Sequence, residues 1–398
     1  MPKVEVQKIY KVFGPAPKQI LPLLEKGEDK AGILKKHKHS VGVNNVSFAV
    51  EEGEIFVIMG LSGSGKSTLI RCLNRLIEPT GGNILIDGQN ITEMSAAELR
   101  EVRRKKVAMV FQNFALLPHK TVLENVAFGL EIQKAGLEMR RQKAEEMLEI
   151  VGLKGYENAK PQELSGGMQQ RVGLARALAI EGDILLMDEA FSALDPLIRK
   201  DMQNELLSLQ QKMKKTIIFI THDLDEALKI GDRIAIMKDG RIVQTGTAEE
   251  ILQNPADDYV RAFIQDVNRS KIITAAAIMR NAEAIILEKA GIRTAARKMK
   301  DLGISSIFVT NKSGVLQGIV TIDRVSSLIK EGKEELESII DKNIETVSLE
   351  TLIDEIIPLF LNTGYPIAVV DEEKRLKGVV FKSTVLAGIA GEGGENNA

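Results

Sequence analysis

Gly60-Leu61-Ser62-Gly63-Ser64-Gly65-Lys66-Ser67 satisfies the pattern G-x-x-x-x-G-K-[ST], and its flanks supply the setting that pattern needs. The apolar run Ile55-Phe56-Val57-Ile58-Met59 before it predicts a buried strand. Ser67-Thr68-Leu69-Ile70-Arg71-Cys72-Leu73 after it predicts the first turns of a helix. Gly60, Gly63 and Gly65 let backbone N–H groups converge on phosphate oxygens, and the positive end of the following helix favours the negative charge. Lys66 supplies a point charge for the β- and γ-phosphates, and the Ser67 hydroxyl can ligate Mg²⁺. Ser62 and Thr68 belong to the same nucleotide-binding set. The stretch predicts a nucleoside triphosphate site.

The chain around it has 398 residues, enough for two or three domains with their own cores. Hydrophobic content of 44%, charged content of 27% and a formal net charge of -2 describe an ordinary protein with no global pull toward nucleic acid. One cysteine, Cys72, falls on an apolar helix position and reads as a small buried hydrophobe, consistent with a reducing compartment. Met1-Pro2-Lys3-Val4-Glu5-Val6 lacks the apolar core of a signal peptide, and no stretch approaches 18 uncharged apolar residues. Any membrane role is therefore expected to run through a partner.

In order, residues 4–13 read as a strand ending at Phe13-Gly14-Pro15, followed by helical pieces near 19–25 and 30–38. Residues 1–40 carry nine Lys against four Asp or Glu, which fits a solvated helical hairpin or a docking surface for a partner or anionic lipid. His37 and His39 would face different sides of a helix, which argues against a metal site. Strands are expected at 46–50, 83–87, 107–111, 184–187 and 216–220. Helices are expected within 121–151 and at 173–180 and 197–212. The short, nearly all-apolar runs suit strands covered on both faces, and their alternation with helices predicts an α/β domain.

Ile184-Leu185-Leu186-Met187-Asp188-Glu189 is an apolar strand ending in two carboxylates. A strand tip beside a P-loop is where a Walker B aspartate would share Mg²⁺ with Ser67, leaving Glu189 to orient or polarise the attacking water. Leu164-Ser165-Gly166-Gly167-Met168-Gln169-Gln170-Arg171 opens a second helix with a serine and two glycines, a second anion-binding terminus. At this point the sequence resembles the ABC-type ATPases, with Ser165, Gly166 and Gly167 in the signature motif. The resemblance implies further roles. Gln112 matches the Q-loop glutamine, a link to a membrane partner and a third oxygen ligand for Mg²⁺. Ser192-Ala193-Leu194-Asp195 matches the D-loop, which places Asp195 among the nucleotide contacts, and His222 matches the switch histidine. It also implies that two copies sandwich ATP head to tail, each Walker A loop facing the other copy's signature. An aromatic platform for adenine is expected upstream: Phe13, with Tyr10 second, although the 28 residues between Gly14 and Val43 make an unusually long gap.

Beyond a polar linker near 266–271, Ile307-Phe308-Val309 through Gly318-Ile319-Val320 aligns with Ile367-Ala368-Val369 through Gly378-Val379-Val380 at a period of 60 residues. Each copy reads helix, strand, turn, strand, helix, and a repeat this short buries its face best against its twin. The pattern resembles a tandem pair of CBS domains. Nucleotide-binding CBS repeats commonly carry Gly-h-h-[Ser/Thr]-x-x-Asp. Here Thr321-Ile322-Asp323 brings the carboxylate one residue early, and Phe381-Lys382-Ser383-Thr384 has none, which weighs against simple AMP or ATP binding. Residues 271–300 carry seven Lys or Arg, including Arg293, Arg297, Lys298 and Lys300, against Glu283 and Glu288. That fits a solvated helix face or a cationic surface for a cyclic dinucleotide or anionic lipid, sensitive to ionic strength.

The expected fold class is α/β: a P-loop ABC-type ATPase domain with a helical subdomain, followed by an α+β tandem CBS pair. The expected segments are an N-terminal strand and helical insertion at 1–42, and the ATPase domain at 43–267 with its helical subdomain near 113–180. The CBS module follows at 268–392 and a tail at 393–398. This order, with Glu54-Ile55-Phe56-Val57-Ile58-Met59-Gly60-Leu61-Ser62-Gly63 and Met187-Asp188-Glu189-Ala190-Phe191-Ser192-Ala193-Leu194-Asp195-Pro196, closely resembles the ATP-binding subunits of glycine betaine/proline betaine osmoprotectant importers. The resemblance implies a peripheral homodimer on the cytoplasmic face of the cell membrane, using ATP and Mg²⁺. Its partners would be permease subunits and, through them, a substrate-binding protein or domain, with no nucleic acid polymer. An importer for another solute, such as an amino acid, is one alternative. The other is a soluble ATPase acting on nucleic acid or ribosomes. The single ATPase half, with no sustained heptads between Lys66 and Ser165, argues against that second alternative.

Overall fold

In the computed structural model, which describes residues 1–112, 114–180, 182–192, 194–265, 269–287, 289–330 and 335–390, the chain forms two compact units that divide between Gln265 and Asp266. Ala193 of the D-loop stretch, Glu288, residues 266–268 of the linker and the tail lie outside the described residues. Among the described residues no helix is long and apolar enough to cross a membrane.

The first unit carries two sheets. One is antiparallel, in the order β2-β1-β4-β5, built from β1 (Val4–Phe13), β2 (Ser40–Val50), β4 (Gly81–Ile86) and β5 (Gln89–Asn90). The other has six strands in the order β10-β9-β3-β8-β7-β6. Its members are β3 (Ile55–Met59), β6 (Val107–Val110), β7 (Ile184–Asp188), β8 (Thr216–Thr221), β9 (Arg233–Lys238) and β10 (Arg241–Gly246). β9, β3, β8, β7 and β6 pair in parallel, and β10 adds an antiparallel edge. Every residue of β3, β7 and β8 is buried, as their unbroken apolar runs require of strands covered on both faces. Phe56, Ile58, Leu69, Ile70, Leu186, Ile218 and Ile220 join one core with Val4, Val6, Ile9 and Ile84 of the antiparallel sheet.

β2 begins at Ser40, six residues before the expected strand, because it pairs with β1 along its whole length, from Val4 opposite Val50 to Phe13 opposite Ser40. The insertion between them leaves and re-enters the sheet at adjacent positions. It folds onto its own core of Tyr10, Val12, Ile20, Leu24, Ile33 and Val41. Tyr10 is thereby buried under the insertion, which removes it as a stacking platform.

Three helices, Val122–Ile132, Leu137–Ile150 and Gly166–Ala179, pack together between β6 and β7 in the chain. Thr121 starts the first with a reciprocal capping box to Glu124. The Arg176 guanidinium donates to the Phe114 and Ala115 carbonyls at 2.8 Å each. Those two residues both have left-handed backbones, so this side chain shapes the exit from the segment after Gln112.

The second unit contains the repeat. β12 (Ser306–Thr310) and β13 (Leu316–Thr321) correspond to β15 (Ile367–Val370) and β16 (Leu376–Val380). Each copy also carries a strand that the sequence reading lacked, β11 (Ala284–Ile286) and β14 (Thr346–Ser348), pairing in parallel with β12 and β15. Three residues are too few to show a period of two, so only pairing reveals them. The twins bury one face jointly through Phe308, Ile319, Ala368 and Val379. The Leu316 N–H donates to the Lys374 carbonyl and the Leu376 N–H to the Gly314 carbonyl, both at 3.0 Å. On helix Ile292–Leu302, Arg293, Arg297 and Lys300 are exposed. Lys298 pairs with Glu283 at 2.8 Å.

Candidate active site

Parallel pairing places the carboxyl ends of β3, β8, β7 and β6 side by side, where ligands of open α/β sheets bind. Each strand delivers one motif there. The P-loop follows β3, Asp188 ends β7 with Glu189 next, His222 follows β8, and Gln112 lies two residues past β6.

The loop's glycines are required by backbone geometry. Gly60 and Gly65 have φ of 152° and 106°, and a Cβ on either would collide with a carbonyl oxygen, that of Met237 or that of Gly42. Lys66 is 4% exposed and its ammonium donates to the Gly60 carbonyl at 2.8 Å and the Leu61 carbonyl at 3.2 Å. Burial pulls its pKa below the usual lysine range, with Glu189 and Asp188 working in the opposite direction. The Ser64 hydroxyl is buried without a partner inside the same loop.

Ser67 Oγ donates to Asp188 Oδ1 at 2.8 Å, and Arg71 reaches Asp188 Oδ2 at 3.1 Å. Asp188 is fully buried at 0% exposure, so both contacts compensate its charge. A hydroxyl and a carboxylate side by side make a donor set for a hard divalent cation that takes its remaining oxygens from phosphate and water. Arg71, almost one helix turn beyond Thr68, is a site residue the sequence reading missed.

Glu189 is the hub. Its carboxylate accepts from Gln112 Nε2 at 3.1 Å, lies 3.4 Å from His222 Nδ1 and 3.9 Å from Lys66 Nζ. Its backbone is left-handed, with φ of 49°, a conformation costing a non-glycine residue about 1 kcal/mol or more. That conformation is held from both sides: the Glu189 N–H donates to the Ile220 carbonyl at 3.0 Å, and the Ser192 hydroxyl donates to the Glu189 carbonyl at 2.9 Å.

Phe13 is 42% exposed, with the Lys11 ammonium 4.9 Å from its ring centroid. A Cβ on Gly42 would come to 3.0 Å of both Phe13 and Thr68, so the ring stands at the P-loop despite the long insertion. The remaining expected residues lie elsewhere. Ser165 caps helix Gly166–Ala179 through the Met168 N–H, and Gly167 faces Leu194 and Ile198. Among the described residues no hydrogen bond joins Ser165, Gly166 or Gly167 to the P-loop of the same chain. Asp195 caps helix Pro196–Met213 by accepting from the Ile198 N–H at 3.1 Å. Burial pushes the Cys72 thiol up to about 12, as a packed hydrophobe requires.

The chain is similar to known proteins along its whole length. The ABC transporter family pattern matches residues 43–192, and the CBS domain pattern matches residues 275–331 and 336–391. The chain is 55% identical to the glycine betaine transport ATP-binding protein OpuAA of Bacillus subtilis, over 100% of this chain and 94% of that one. It is 50% identical to the glycine betaine/proline betaine transport system ATP-binding protein ProV of Salmonella typhimurium, over 99% of both. The chain belongs to the ABC transporter family, among the glycine betaine transport ATP-binding proteins with tandem CBS domains. Its structure is similar to MJ0796, a bacterial ABC transporter cassette solved as a dimer, at 34% identity and a TM-score of 0.53, covering 62% of this chain and 98% of that one. The same cassette has also been solved in a post-hydrolysis state bound to ADP and Pi. As an ABC ATPase, this chain binds and hydrolyses ATP.

Four residues after His222 in the chain comes a buried carboxylate that the motifs do not include. Glu226 is 5% exposed, accepts from Gln203 Nε2 at 3.0 Å, and has its pKa raised by burial. Folding therefore disfavours its ionised form. The penalty is complete above the folded pKa and is relieved as pH falls through it. Glu226→Gln, which cannot titrate, is expected to stabilise the chain at pH 8 and to do so by less at pH 5. Calorimetry at both pH values checks this, and a gain that grows toward pH 5 would overturn the assignment.

Proposed function

We propose that this chain powers an ABC importer for glycine betaine or a related quaternary amine. The reading rests above all on identity of 50% and 55% to ATP-binding proteins of glycine betaine transport, spanning the ATPase unit and the CBS pair together. The chain acts peripherally at the cytoplasmic face of the membrane, with two copies on permease subunits that are served by a substrate-binding protein or domain.

Within one copy, Lys66 and the P-loop amides hold the β- and γ-phosphates, with Ser62 and Thr68 at the rim and Phe13 stacking on adenine. Ser67, Asp188 and Gln112 would hold Mg²⁺, which when bound supplies charge neutralisation on the phosphates. Glu189 accepts a hydrogen bond from the attacking water and draws off its proton as the water oxygen bonds to the γ-phosphorus and the bond to ADP breaks. His222 fixes the Glu189 carboxylate and faces the γ-phosphate. Gln112 connects this carboxylate to the helical subdomain and hence to the permease. Ser165, Gly166 and Gly167 open an exposed helix N-terminus with no hydrogen bond to their own P-loop among the described residues, and in a head-to-tail dimer they close the site of the second copy, together with Asp195. The exposed Arg293, Arg297 and Lys300 suit an anionic regulator of the CBS module, a cyclic dinucleotide or an anionic lipid.

The test is uptake of labelled glycine betaine into vesicles containing the assembled transporter, with ATP supplied on the side of this subunit and salt varied there. ATP-dependent accumulation is expected, with a salt response that disappears when the chain ends at Gln265. ATP hydrolysis without betaine uptake would move the substrate to another solute.

A further inference from the structure

The helix Asp258–Phe263 is the last of the first unit, which ends at Gln265. Its Tyr259 ring lies 4.4 Å from the Lys238 ammonium and 5.9 Å from the Phe263 ring. Lys238 ends β9, and the turn Asp239-Gly240 after it is built against the P-loop. There the Gly240 N–H donates to the Ser64 carbonyl at 2.8 Å, and the Gly240 carbonyl accepts from the Asn44 N–H at 2.8 Å. The adjoining Met237 carbonyl fills the space beside Gly60. The Leu61 backbone, inside the loop itself, lies close enough to the Tyr259 hydroxyl to pull its pKa down, against the larger upward push of burial. The helix is firmly seated. Gln244 accepts from the Ala256 N–H at 2.8 Å and donates to the Asn254 carbonyl at 2.9 Å, Asp257 caps the helix through the Val260 N–H at 2.8 Å, and Val260 and Ile264 are buried. Tyr259 thus stands at the P-loop in two ways, near the Leu61 backbone and through the turn at Lys238-Asp239-Gly240.

We propose that Tyr259 is a positioning residue for ATP binding: it clamps Leu61 and the Lys238-Asp239-Gly240 turn, and so holds the loop's N–H groups in the arrangement that receives the phosphates. The proposal rests on the nucleotide site described above. A loop that must be ordered by ATP itself binds more weakly, since part of the binding free energy goes into fixing the backbone. Chemistry on bound ATP is left unchanged, because Tyr259 touches none of Asp188, Glu189, His222 or Gln112.

The experiment measures ATP affinity of the full-length chain by displacement of a ribose-labelled fluorescent ATP, alongside steady-state hydrolysis, for Tyr259→Ala, Tyr259→Phe and Lys66→Ala. Tyr259→Ala is expected to raise both Kd and KM for ATP by about five- to twentyfold while kcat stays within about twofold. Tyr259→Phe keeps the ring over Lys238, loses the hydroxyl and falls between. Hydrogen exchange at the amides of residues 61–66 should accelerate in Tyr259→Ala, while β8 (Thr216–Thr221) stays protected, separating loop disorder from general unfolding. Wild-type affinity with unchanged exchange at 61–66 overturns the proposal, as does a fall in kcat with KM unchanged. Should Tyr259→Ala fail to fold, Tyr259→Phe and Lys238→Met carry the same readouts. If Lys66→Ala loses ATP while Tyr259→Ala does not, the positioning role alone fails. If Lys66→Ala binds as wild type, the nucleotide site itself fails.

Discussion

Glu189→Gln is expected to slow ATP hydrolysis by roughly two to four orders of magnitude, the usual contribution of a positioned general base, while ATP stays bound. The substitution keeps size and shape at a residue whose left-handed backbone is held by hydrogen bonds from its own N–H to Ile220 and from Ser192 to its carbonyl. Neither bond uses the carboxylate, so the fold is preserved. The amide can still meet Gln112 and His222, 3.1 and 3.4 Å from the present carboxylate, but it cannot take a proton from water. Removing the negative charge 3.9 Å from Lys66 also frees that ammonium for phosphate. ATP affinity should therefore hold or rise, and the closed dimer should accumulate. Single-turnover hydrolysis together with sizing in ATP checks both parts. Near-wild-type turnover would remove Glu189 from the chemistry.

Lys66→Ala is expected to weaken ATP binding by roughly 10- to 150-fold, the equivalent of about 1.5–3 kcal/mol for a hydrogen bond to a charged group. The loss has two sources. The phosphates lose a cation that is 4% exposed and therefore poorly screened by solvent. The loop also loses the two bonds from the ammonium to the Gly60 and Leu61 carbonyls, which hold its ends together before ATP arrives. Titration calorimetry with ATP at fixed Mg²⁺ measures the change. Unaltered affinity would discard the phosphate-binding assignment of the whole loop.

The ATPase fold class, the order of its motifs and the repeated C-terminal module are legible in the sequence alone. These are local or periodic properties. A glycine-rich loop between an apolar strand and a helix is legible because only glycine tolerates the φ of Gly60 and Gly65, and an all-apolar run such as Ile184-Leu185-Leu186-Met187 is legible because strands buried on both faces exclude polar residues. Ser165 is visible for a related reason: it begins a helix as its N-cap.

Which of these residues meet is set by the pairing of distant segments. Parallel pairing of β6, β7, β8 and β3 brings Gln112, Glu189, His222 and Lys66 to one edge, from positions up to 156 residues apart in the chain. Arg71 as the partner of Asp188, Tyr259 at the P-loop, and the burial of Tyr10 all depend on contacts between distant segments that no local pattern encodes. The long insertion shows the division most plainly. It puts an unusually long gap of 28 residues after Phe13-Gly14, yet Phe13 pairs with Ser40, so the intervening residues fold outward and the ring stays at the loop. Chain length between two points sets how far they can separate, and only strand pairing sets whether they do.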